Sequence, residues 1–449
     1  MKVAVLGAGV AGLVAARKLA HDGHAVTVFE RWPGLGGQAA TLDVGGHLLE
    51  RYYHHWFTSD RHAVELCAEL GVEVAWHPST TAFFVDGRLH PFTSPSDLLR
   101  FRALPVRDRL RMGLAVLRLQ RSSDGVAAYE HETARSWIER EMGSEAWRAV
   151  WGPLLRGKFG SRADDISMAW LWGKLTTRRR LRGKEARGEL LGYPAASFEA
   201  LSAALVREIE GAGGRVVVDA PVTRVDRDGD VFRLTVGAPG SFRRGLDPRA
   251  FDPLPDVHTA AAVLATLPNE VFDAVAGHLV SDGYRRRLAS VEYHTALCLL
   301  LELDRPFSPF YWTNVADPAL PFVGLVEHTN LVPAERYDGR RFLYVANYVE
   351  PGSPLLDLAA DALLEHYLPG LRQVRPDFTL DRVRARWRFV EPAGQPVVDV
   401  GYRERIPPHD TGVPGLVLAN TTQIYPEDRG TNYAVRGGEA AARLLVAGA

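Results

Sequence analysis

Cysteine is nearly absent from this chain of 449 residues, which contains only Cys67 and Cys298. Two cysteines cannot build a disulfide framework, and their spacing excludes a Cys-x-x-Cys redox pair and a cysteine-ligated zinc site. Such scarcity is typical of proteins kept in a reducing compartment, and the predicted location is the cytoplasm.

An excess of one charge and long hydrophobic runs are also missing. Lys and Arg number 53 against 54 Asp and Glu, so the formal net charge is −1. Without a basic excess the chain is not expected to bind nucleic acid, since many phosphates would have to be neutralised. No apolar run reaches the ~18 residues that a bilayer-spanning helix needs, so no transmembrane segment is predicted. The length predicts two to three domains.

The N-terminal segment carries a strand, a glycine-rich turn, a helix and a second strand in that order. Val3–Leu6 is an apolar run suited to a buried parallel strand, Leu13–His21 has helical spacing, and Ala25–Phe29 predicts the second strand. The turn between the first strand and the helix is Gly7-Ala8-Gly9-Val10-Ala11-Gly12. This order predicts a dinucleotide-binding βαβ unit.

Each part of this unit has a physical role. Gly7 permits the tight turn, Gly9 lets the backbone approach a diphosphate, and Gly12 allows close packing of the helix on the strand. The N–H groups at the helix start favour negative charge. Glu30 ends the second strand and can accept hydrogen bonds from ribose hydroxyls, while its charge disfavours the 2′-phosphate of NADP.

A second glycine pair follows in the segment Arg31-Trp32-Pro33-Gly34-Leu35-Gly36-Gly37-Gln38. With it, the chain resembles the superfamily of flavin-dependent amine oxidases, protoporphyrinogen oxidases and phytoene desaturases, and within it the protoporphyrinogen-oxidase-like branch. The resemblance implies that Gly36 and Gly37 lie along FAD. It places Gln38 where the family usually has Arg.

The resemblance continues downstream in family order. Val222 matches the position whose backbone meets the adenine, and Ala261–Pro268 resembles a strand that closes the same domain. A C-terminal strand, Gly415–Asn420, precedes a helix that begins at Thr431. The resemblance implies that the start of this helix contacts the flavin. The cofactor-binding residues predicted in this way are Gly7, Gly9, Ala11, Gly12, Glu30, Arg31, Gly36, Gly37, Gln38, Val222, Asn420, Asn432, Tyr433 and Ala434.

The fold implied is α/β: a Rossmann-type FAD-binding domain of the kind called GR2-like, with an inserted α+β substrate domain. The FAD-binding domain is expected to comprise residues 1–80, 190–270 and 400–449. The substrate domain is expected to comprise residues 81–189 and 271–399. The FAD is expected to be non-covalent, because no cysteine occurs in the C-terminal segment.

Two basic features of the substrate region have alternative interpretations. Ser96–Ser122 is predicted to be helical with a break at Pro105, and its arginines accompany the apolar Leu110, Leu114 and Leu117. This helix is either part of an ordinary helical subdomain or a membrane-surface helix, so peripheral membrane contact is one expectation. The basic run Arg178–Lys184 is either a solvated loop or a site for a substrate phosphate or carboxylate.

Candidate catalytic residues are few. His328 and Asn330 follow an apolar strand and either act on a substrate proton or form a polar turn. Relatives that oxidise amines often carry a Lys six residues before the Asp of an Asp-Arg-Pro-Phe segment. Here that segment starts at Asp304 and the corresponding residue is Cys298, which disfavours oxidative deamination. No metal site is expected at the adjacent His54 and His55.

The function predicted is that of an FAD-dependent oxidoreductase. A hydride would pass from a substrate C–H bond to the flavin, in the oxidation or desaturation of a bulky, largely apolar small molecule. Oxygen is one expected electron acceptor, and a monomer or homodimer is expected. The alternatives left open are a non-redox sugar-nucleotide mutase resembling UDP-galactopyranose mutase, a flavin-dependent amine oxidase, and a non-catalytic FAD-stabilised partner protein.

Overall fold

A computed structural model describes residues 1–122, 124–177, 189–238 and 253–448. The basic run Arg178–Lys184 lies outside the described residues. The strands, in chain order, are β1 Lys2–Leu6, β2 Ala25–Phe29, β3 Thr41–Asp43, β4 Leu48–Glu50, β5 Trp56–Phe57, β6 Val74–Pro78, β7 Thr81–Val85, β8 Arg88–Pro91, β9 Leu190–Pro194, β10 Arg215–Val217, β11 Val222–Asp228, β12 Val231–Gly237, β13 Pro253–Ala260, β14 Ala262–Ala265, β15 Tyr293–Leu303, β16 Trp312–Val315, β17 Gly324–Glu327, β18 Arg341–Val349, β19 Val383–Pro396 and β20 Leu416–Leu418.

The α-helices alternate with these strands at both ends of the chain and cluster in the middle. They are α1 Val10–His21, α2 Arg61–Glu69, α3 Pro95–Arg100, α4 Val106–Arg121, α5 Ala134–Glu141, α6 Ser144–Ala146, α7 Gly152–Phe159, α8 Met168–Thr177, α9 Glu199–Gly211, α10 Asn269–Ala276, α11 Asp282–Ala289, α12 Ala360–Val374, α13 Tyr402–Arg405 and α14 Thr431–Ala447.

A five-stranded parallel sheet gathers strands from widely separated parts of the chain. Its order is β10-β2-β1-β14-β20, and every neighbouring pair is parallel. The predicted strands of the N-terminal unit are confirmed, with β1 one residue longer than expected and α1 three residues longer. The connection after β1 leads to β2 on one side, whereas the connection after β14 leads to β20 on the other side, so a crevice opens between the carboxyl ends of β1 and β14.

Helices α1, α9 and α14 share a core with this sheet. Leu13, Ala16 and Leu19 of α1 are buried at helical spacing, so the helix presents an apolar stripe to the strands. Gly438 of α14 faces the carbonyl of Ala11 so closely that a Cβ there would overlap it. The first and last helices of the chain therefore pack directly against each other.

A three-stranded antiparallel sheet, β11-β12-β13, lies beside the parallel sheet. Its buried Val225 and Phe232 share a core cluster with Phe272 of α10 and Leu288 of α11. Helix α10 begins at residue 269 and α11 at residue 282, so both lie almost entirely beyond residue 270, where the sequence places the domain boundary. They nevertheless pack with residues on the nucleotide side of that boundary.

A seven-stranded sheet forms the second large layer, in the order β19-β15-β18-β17-β16-β7-β8. Neighbouring strands are antiparallel except for the β16–β7 pair. Strand β15 is buried along nearly its whole length because both faces are covered. Leu297, Leu299 and Leu301 belong to a core shared with α12, whereas Cys298 and Leu300 point into the core shared with the parallel sheet.

Helices α3 to α8 form a helical subdomain with its own core. The predicted break at Pro105 separates α3 from α4, and Ser94 caps α3 through a hydrogen bond from the Asp97 amide. Helix α4 buries Met112, Ala115 and Leu119. Leu110 and Leu114, which the sequence places on the apolar side of this helix, are both exposed. Within the described residues, no helix has the length and apolar character needed to cross a bilayer.

Candidate functional site

A cavity of about 450 Å³ lies at the carboxyl end of the parallel sheet, where the connections after β1 and β14 diverge. This volume is within the ordinary range for small-molecule and cofactor sites. The lining residues come from five separated stretches of the chain: 6–54, 221–222, 266–271, 391–409 and 419–440. The cavity is therefore assembled by the fold and not by one motif.

Backbone alone forms one wall of this cavity. Gly9 and Gly36 pair as a short parallel bridge, and the Gly36 amide donates to the carbonyl of Ala8 at 2.9 Å. Gly36 and Gly37 have φ of +91° and +59°, a region that favours glycine. A Cβ on Gly37 would sit 3.0 Å from the Gly9 Cα. Only glycines allow these two turns to approach each other and leave a backbone groove.

The start of α1 supplies the donors of this wall. Helix α1 begins at Val10, and Gly9 at its N-cap has no side chain that could satisfy the first turn. The N–H groups of that turn lack partners within the helix, and the helix dipole adds partial positive charge. Gly12 does not line the cavity. A Cβ there would overlap the Gly7 carbonyl oxygen, so Gly12 sets the distance between turn and helix.

Glu30 places a buried carboxylate at the end of β2. One oxygen accepts from the Ala8 amide at 2.7 Å and the other from the Trp32 amide at 2.9 Å. Burial raises the pKa of this carboxyl, and the two amides partly offset that effect. Since each carboxylate oxygen has two lone pairs, Glu30 can still accept from a bound ligand. The geometry suits a ribose diol beside the backbone groove.

The start of α14 forms the opposite wall. Gly430, Thr431, Tyr433 and Ala434 line the cavity. Trp56 Nε1 donates to Thr431 Oγ1 at 2.6 Å and fixes this end of the helix. A second helix N-terminus, with the partial positive charge of its dipole, thus lies at the same space.

Two predicted contact residues serve mainly as ties between segments. Asn420 lines the cavity, but its side-chain amide donates to the Leu267 carbonyl at 2.8 Å and to Asn269 Oδ1 at 2.9 Å. It therefore joins the ends of β14 and β20. Asn432 lies outside the lining, and its Oδ1 accepts from the Ala63 amide at 3.1 Å. That bond connects α14 to α2.

Side chains, not backbone, define the end of the cavity near the seven-stranded sheet. Arg429 donates to Gln395 Oε1 at 3.0 Å, to Gln38 Oε1 at 3.2 Å and to the Tyr348 hydroxyl at 3.0 Å. Gln38 also donates to the Ala393 carbonyl at 3.1 Å. The Gln38 side chain thus links the second glycine pair to β19.

His54 lines the same part of the cavity. Its Nδ1 lies 2.7 Å from the carbonyl oxygen of Tyr52, so that nitrogen carries the proton and donates. Burial lowers the pKa of His54 to about 4. The imidazole is therefore neutral at neutral pH, and its Nε2 is available as an acceptor.

The two predicted catalytic residues do not line the cavity. His328 is buried, its Nε2 lies 2.7 Å from the Tyr337 hydroxyl, and burial lowers its pKa to about 3. The Asn330 amide donates to the carbonyls of Ser308 and Phe310 at 2.8 and 3.0 Å. His328 thus pairs with Tyr337, and Asn330 ties the turn after β17 to the segment before β16, so the geometry gives no support to a role in catalysis.

Most of the predicted cofactor residues meet in this one cavity. Those in its lining are Gly7, Gly9, Ala11, Glu30, Arg31, Gly36, Gly37, Gln38, Val222, Asn420, Tyr433 and Ala434. Sequence reasoning missed several lining side chains: Trp32, Arg51, Tyr52, His54, Glu391, His409, Gln423 and Arg429. A signal for Arg429 existed, since it immediately precedes the glycine that caps the C-terminal helix.

Comparison with known proteins agrees with this architecture. The profile of the family described as flavin containing amine oxidoreductase matches residues 10–446. A mitochondrial protoporphyrinogen oxidase of Nicotiana tabacum is 28% identical over 172 residues, which cover 37% of this chain and 34% of that protein. An oxidoreductase from Methanosarcina mazei superposes with a TM-score of 0.75 at 17% identity, over 99% of this chain and all of that one.

A reduced UDP-galactopyranose mutase superposes with a TM-score of 0.72 at 15% identity, over 100% of this chain and 96% of that one. At such low identity the two superpositions show the fold alone. The aligned part of the chain spans about a third of the length of the tobacco relative. The chain belongs to the flavin-containing amine oxidoreductase family, and its cofactor is FAD.

The residues present fit FAD. The glycine groove and the first turn of α1 offer amides to a diphosphate, and Glu30 offers a carboxylate to a ribose. Val222 lines the cavity beside Leu267, in an apolar part suited to the adenine. The N-terminus of α14 would lie at the isoalloxazine end, where its dipole stabilises negative charge.

Proposed function

We propose that this protein is an FAD-dependent oxidoreductase that oxidises or desaturates a bulky, largely apolar small molecule. The observation that carries the proposal is the single cavity in which the glycine groove, Glu30 and the α14 N-terminus converge. Family membership supports a flavin-dependent reaction. The name of the tobacco relative, a protoporphyrinogen oxidase, supports a large substrate.

The bound FAD would accept a hydride from a substrate carbon. The chain's own residues orient the reactants and exclude water. The Gln38–Arg429–Gln395 bonds fix the side chains at the isoalloxazine end. His54 offers a neutral acceptor nitrogen there, because its pKa is far below neutral pH. It can accept a hydrogen bond from an N–H or O–H group of the substrate and so orient it.

Spectroscopy of the purified protein tests this proposal. We expect yellow protein whose flavin absorbance bleaches under anaerobic conditions when the correct substrate is added, and returns on admission of oxygen or another acceptor. Turnover that appears only after reduction with dithionite would instead support a non-redox mutase. Protein that binds no FAD would contradict all flavin-dependent functions.

Amine oxidation is less favoured by the site. Cys298, which stands where amine-oxidising relatives often carry a lysine, is buried on β15, and burial raises the pKa of its thiol. Among the described residues that line the cavity, none is a lysine. Release of ammonia during turnover would restore the amine-oxidase alternative.

A surface of α3 and α4 supports a second role, which is peripheral contact with an anionic membrane. Four large apolar side chains are more than half exposed along it: Leu99 57%, Val106 64%, Leu110 52% and Leu114 53%. Residues 95–121 contain seven arginines against two aspartates. An apolar stripe bordered by cations matches a helix lying in the interface of a negatively charged bilayer.

Cosedimentation with vesicles tests this contact. We expect binding to vesicles of phosphatidylglycerol mixed with phosphatidylcholine, weaker binding at high salt, and loss of binding in a Leu110→Ser/Leu114→Ser variant. Leu380→Ser, which changes an exposed leucine elsewhere, is the matched control. A wild-type dimer that this double variant converts to monomer would instead identify the surface as a contact between protein chains.

A further inference from the structure

Arg429 is a cation in the wall of the cavity whose hydrogen-bond partners are all neutral. Its guanidinium donates to two amide oxygens and one phenol, those of Gln395, Gln38 and Tyr348. Within the described ranges, no carboxylate forms an ion pair with it. The guanidinium therefore has hydrogen-bonding neighbours but no direct ion pair, an arrangement that is suited to an anion that arrives with a ligand.

The neighbouring Asp428 carboxylate stabilises the charge of Arg429 from a distance but forms no ion pair with it, because two other cations already hold that carboxylate. Lys158 Nζ lies 2.7 and 2.5 Å from the two oxygens of Asp428, and Lys174 Nζ lies 2.9 Å from one of them. Burial alone would raise the pKa of Asp428, but the two ammonium groups outweigh it and keep the carboxylate ionised. Three cations thus surround one anion.

The cluster is built into the fold. Lys158 lies on α7, Lys174 on α8, and Asp428 and Arg429 on the segment before α14. Both ammonium groups also lie over the ring of Trp170, at 5.3 and 4.8 Å from its centroid. The aromatic face compensates part of their charge but supplies no anion. The net positive charge next to the cavity is therefore a fixed property of this end of the site.

We propose that Arg429, supported by Lys158 and Lys174 through Asp428, forms a subsite for an anionic group of the substrate, a carboxylate or a phosphate. The inference rests on the proposed function, because it concerns the substrate of the same cavity. It narrows the substrate class to bulky molecules that carry an acidic group. Arg429 is the contacting residue, and the two lysines act as positioning residues that keep Asp428 from pairing with it.

Binding of a simple carboxylate to the FAD-loaded protein tests the proposal. The probe is benzoate, and its neutral isostere benzamide is the comparison; binding is followed by difference spectra of the oxidised flavin. We expect saturable binding of benzoate and much weaker binding of benzamide. Arg429→Gln should weaken benzoate binding roughly 10- to 100-fold, since a charge-assisted hydrogen-bond pair is lost. Arg429→Lys should retain part of the affinity.

The lysines give a second, graded readout. Lys174→Gln should weaken benzoate binding several-fold without removing Arg429, because only Lys158 then holds Asp428 and more of the carboxylate charge acts on the guanidinium. Arg287→Gln, which changes an exposed arginine on α11, should leave the affinity unchanged. Flavin content, measured for every variant, separates loss of the subsite from loss of the cofactor.

Two results would overturn the proposal. The first is equal affinity for benzoate and benzamide. The second is benzoate binding that Arg429→Gln does not change. If that variant also has a lowered flavin midpoint potential, Arg429 would be assigned to the reduced flavin. Calorimetric titration of benzoate into FAD-free protein tests the subsite even if the proposed function fails.

Discussion

The two ends of the cavity are built in different ways. The end near the parallel sheet is a backbone structure in which Gly7, Gly9, Gly36 and Gly37 lie within about thirty positions of one another in the sequence. The end near the seven-stranded sheet is made of side chains such as Tyr52, Glu391 and Arg429, which the fold brings together from distant segments. The first end depends on the absence of side chains, and the second on their identity. A single added methyl group should therefore abolish FAD binding at the first end. At the second end, each substitution should cause only a partial loss of stability or binding.

The largest expected effect is at the close contact between Gly12 and the Gly7 carbonyl, which supports the backbone groove. Gly12→Ala places a Cβ against the Gly7 carbonyl and should destabilise the protein by roughly 1–3 kcal/mol or more. The displaced turn should also lose bound FAD. Flavin content after purification and urea unfolding measure both effects. Gly211→Ala, where a Cβ meets open space, is the control and should retain FAD and stability. Retention of FAD by Gly12→Ala would contradict the conclusion that FAD binding at this end depends on close packing of the backbone.

A smaller effect is expected from the one side chain that completes the groove. Glu30→Gln keeps the shape but removes the charge that accepts from the Ala8 and Trp32 amides and, by our assignment, from a ribose. FAD affinity should fall roughly 10- to 100-fold, which corresponds to about 1.5–3 kcal/mol. Titration of the deflavinated protein with FAD measures the change. Glu210→Gln, at an exposed position on α9, should not alter it.

A pH effect should arise where the two sheets meet. Glu50 is buried, accepts from the Tyr193 hydroxyl at 2.7 Å and the Phe198 amide at 2.8 Å, and burial raises its pKa from 4.5 to about 7. The folded state therefore holds a proton that the unfolded state releases above pH 4.5. The contribution of Glu50 to stability should be complete below about pH 4.5 and should decline as the pH rises to about 7, by about 3 kcal/mol.

Urea unfolding across that pH range, compared between wild type and Glu50→Gln, isolates this contribution. The variant should lack the part of the pH dependence that comes from residue 50. Parallel curves for the two proteins would show that the carboxyl titrates normally in the folded state.

The smallest expected effect is at the side-chain end. Tyr348→Phe removes one of the three acceptors of Arg429 and leaves the other two. Stability should fall by about 1 kcal/mol, the ordinary contribution of one hydrogen bond, and bound FAD should be retained. Flavin content and unfolding curves measure both. Complete loss of FAD from this variant would show that the two ends do not differ as described.

The same contrast explains what the sequence could predict. Strands β1 and β2, helix α1 and the glycine pairs follow one another along the chain, so their spacing alone indicates the backbone groove. No local sequence pattern indicates which distant residues form hydrogen bonds with each other. Asn420 lines the cavity, as the resemblance implies, but only the structure shows that its side chain joins the ends of two strands.

The differences from the predicted side-chain positions have equally physical causes. His328 and Asn330 have the chemistry of catalytic residues, yet a polar residue after a buried strand can equally form hydrogen bonds to neighbouring segments, here to Tyr337 and to the Ser308 carbonyl. Leu110 and Leu114 have helical spacing with Leu117, but α4 turns Met112, Ala115 and Leu119 to its core instead. Periodicity identifies an apolar side of a helix without showing which side the rest of the fold covers.

The contact between Gly438 and Ala11 has a consequence for how the protein matures. Helix α14, which supplies one wall of the cavity, begins about 410 positions after α1 ends. A nascent chain can form β1 and α1 early, but the enclosure for the isoalloxazine does not exist until α14 has been synthesised and has packed on α1. Stable loading of the flavin must therefore wait for α14, and a chain that lacks this helix would be an apoprotein.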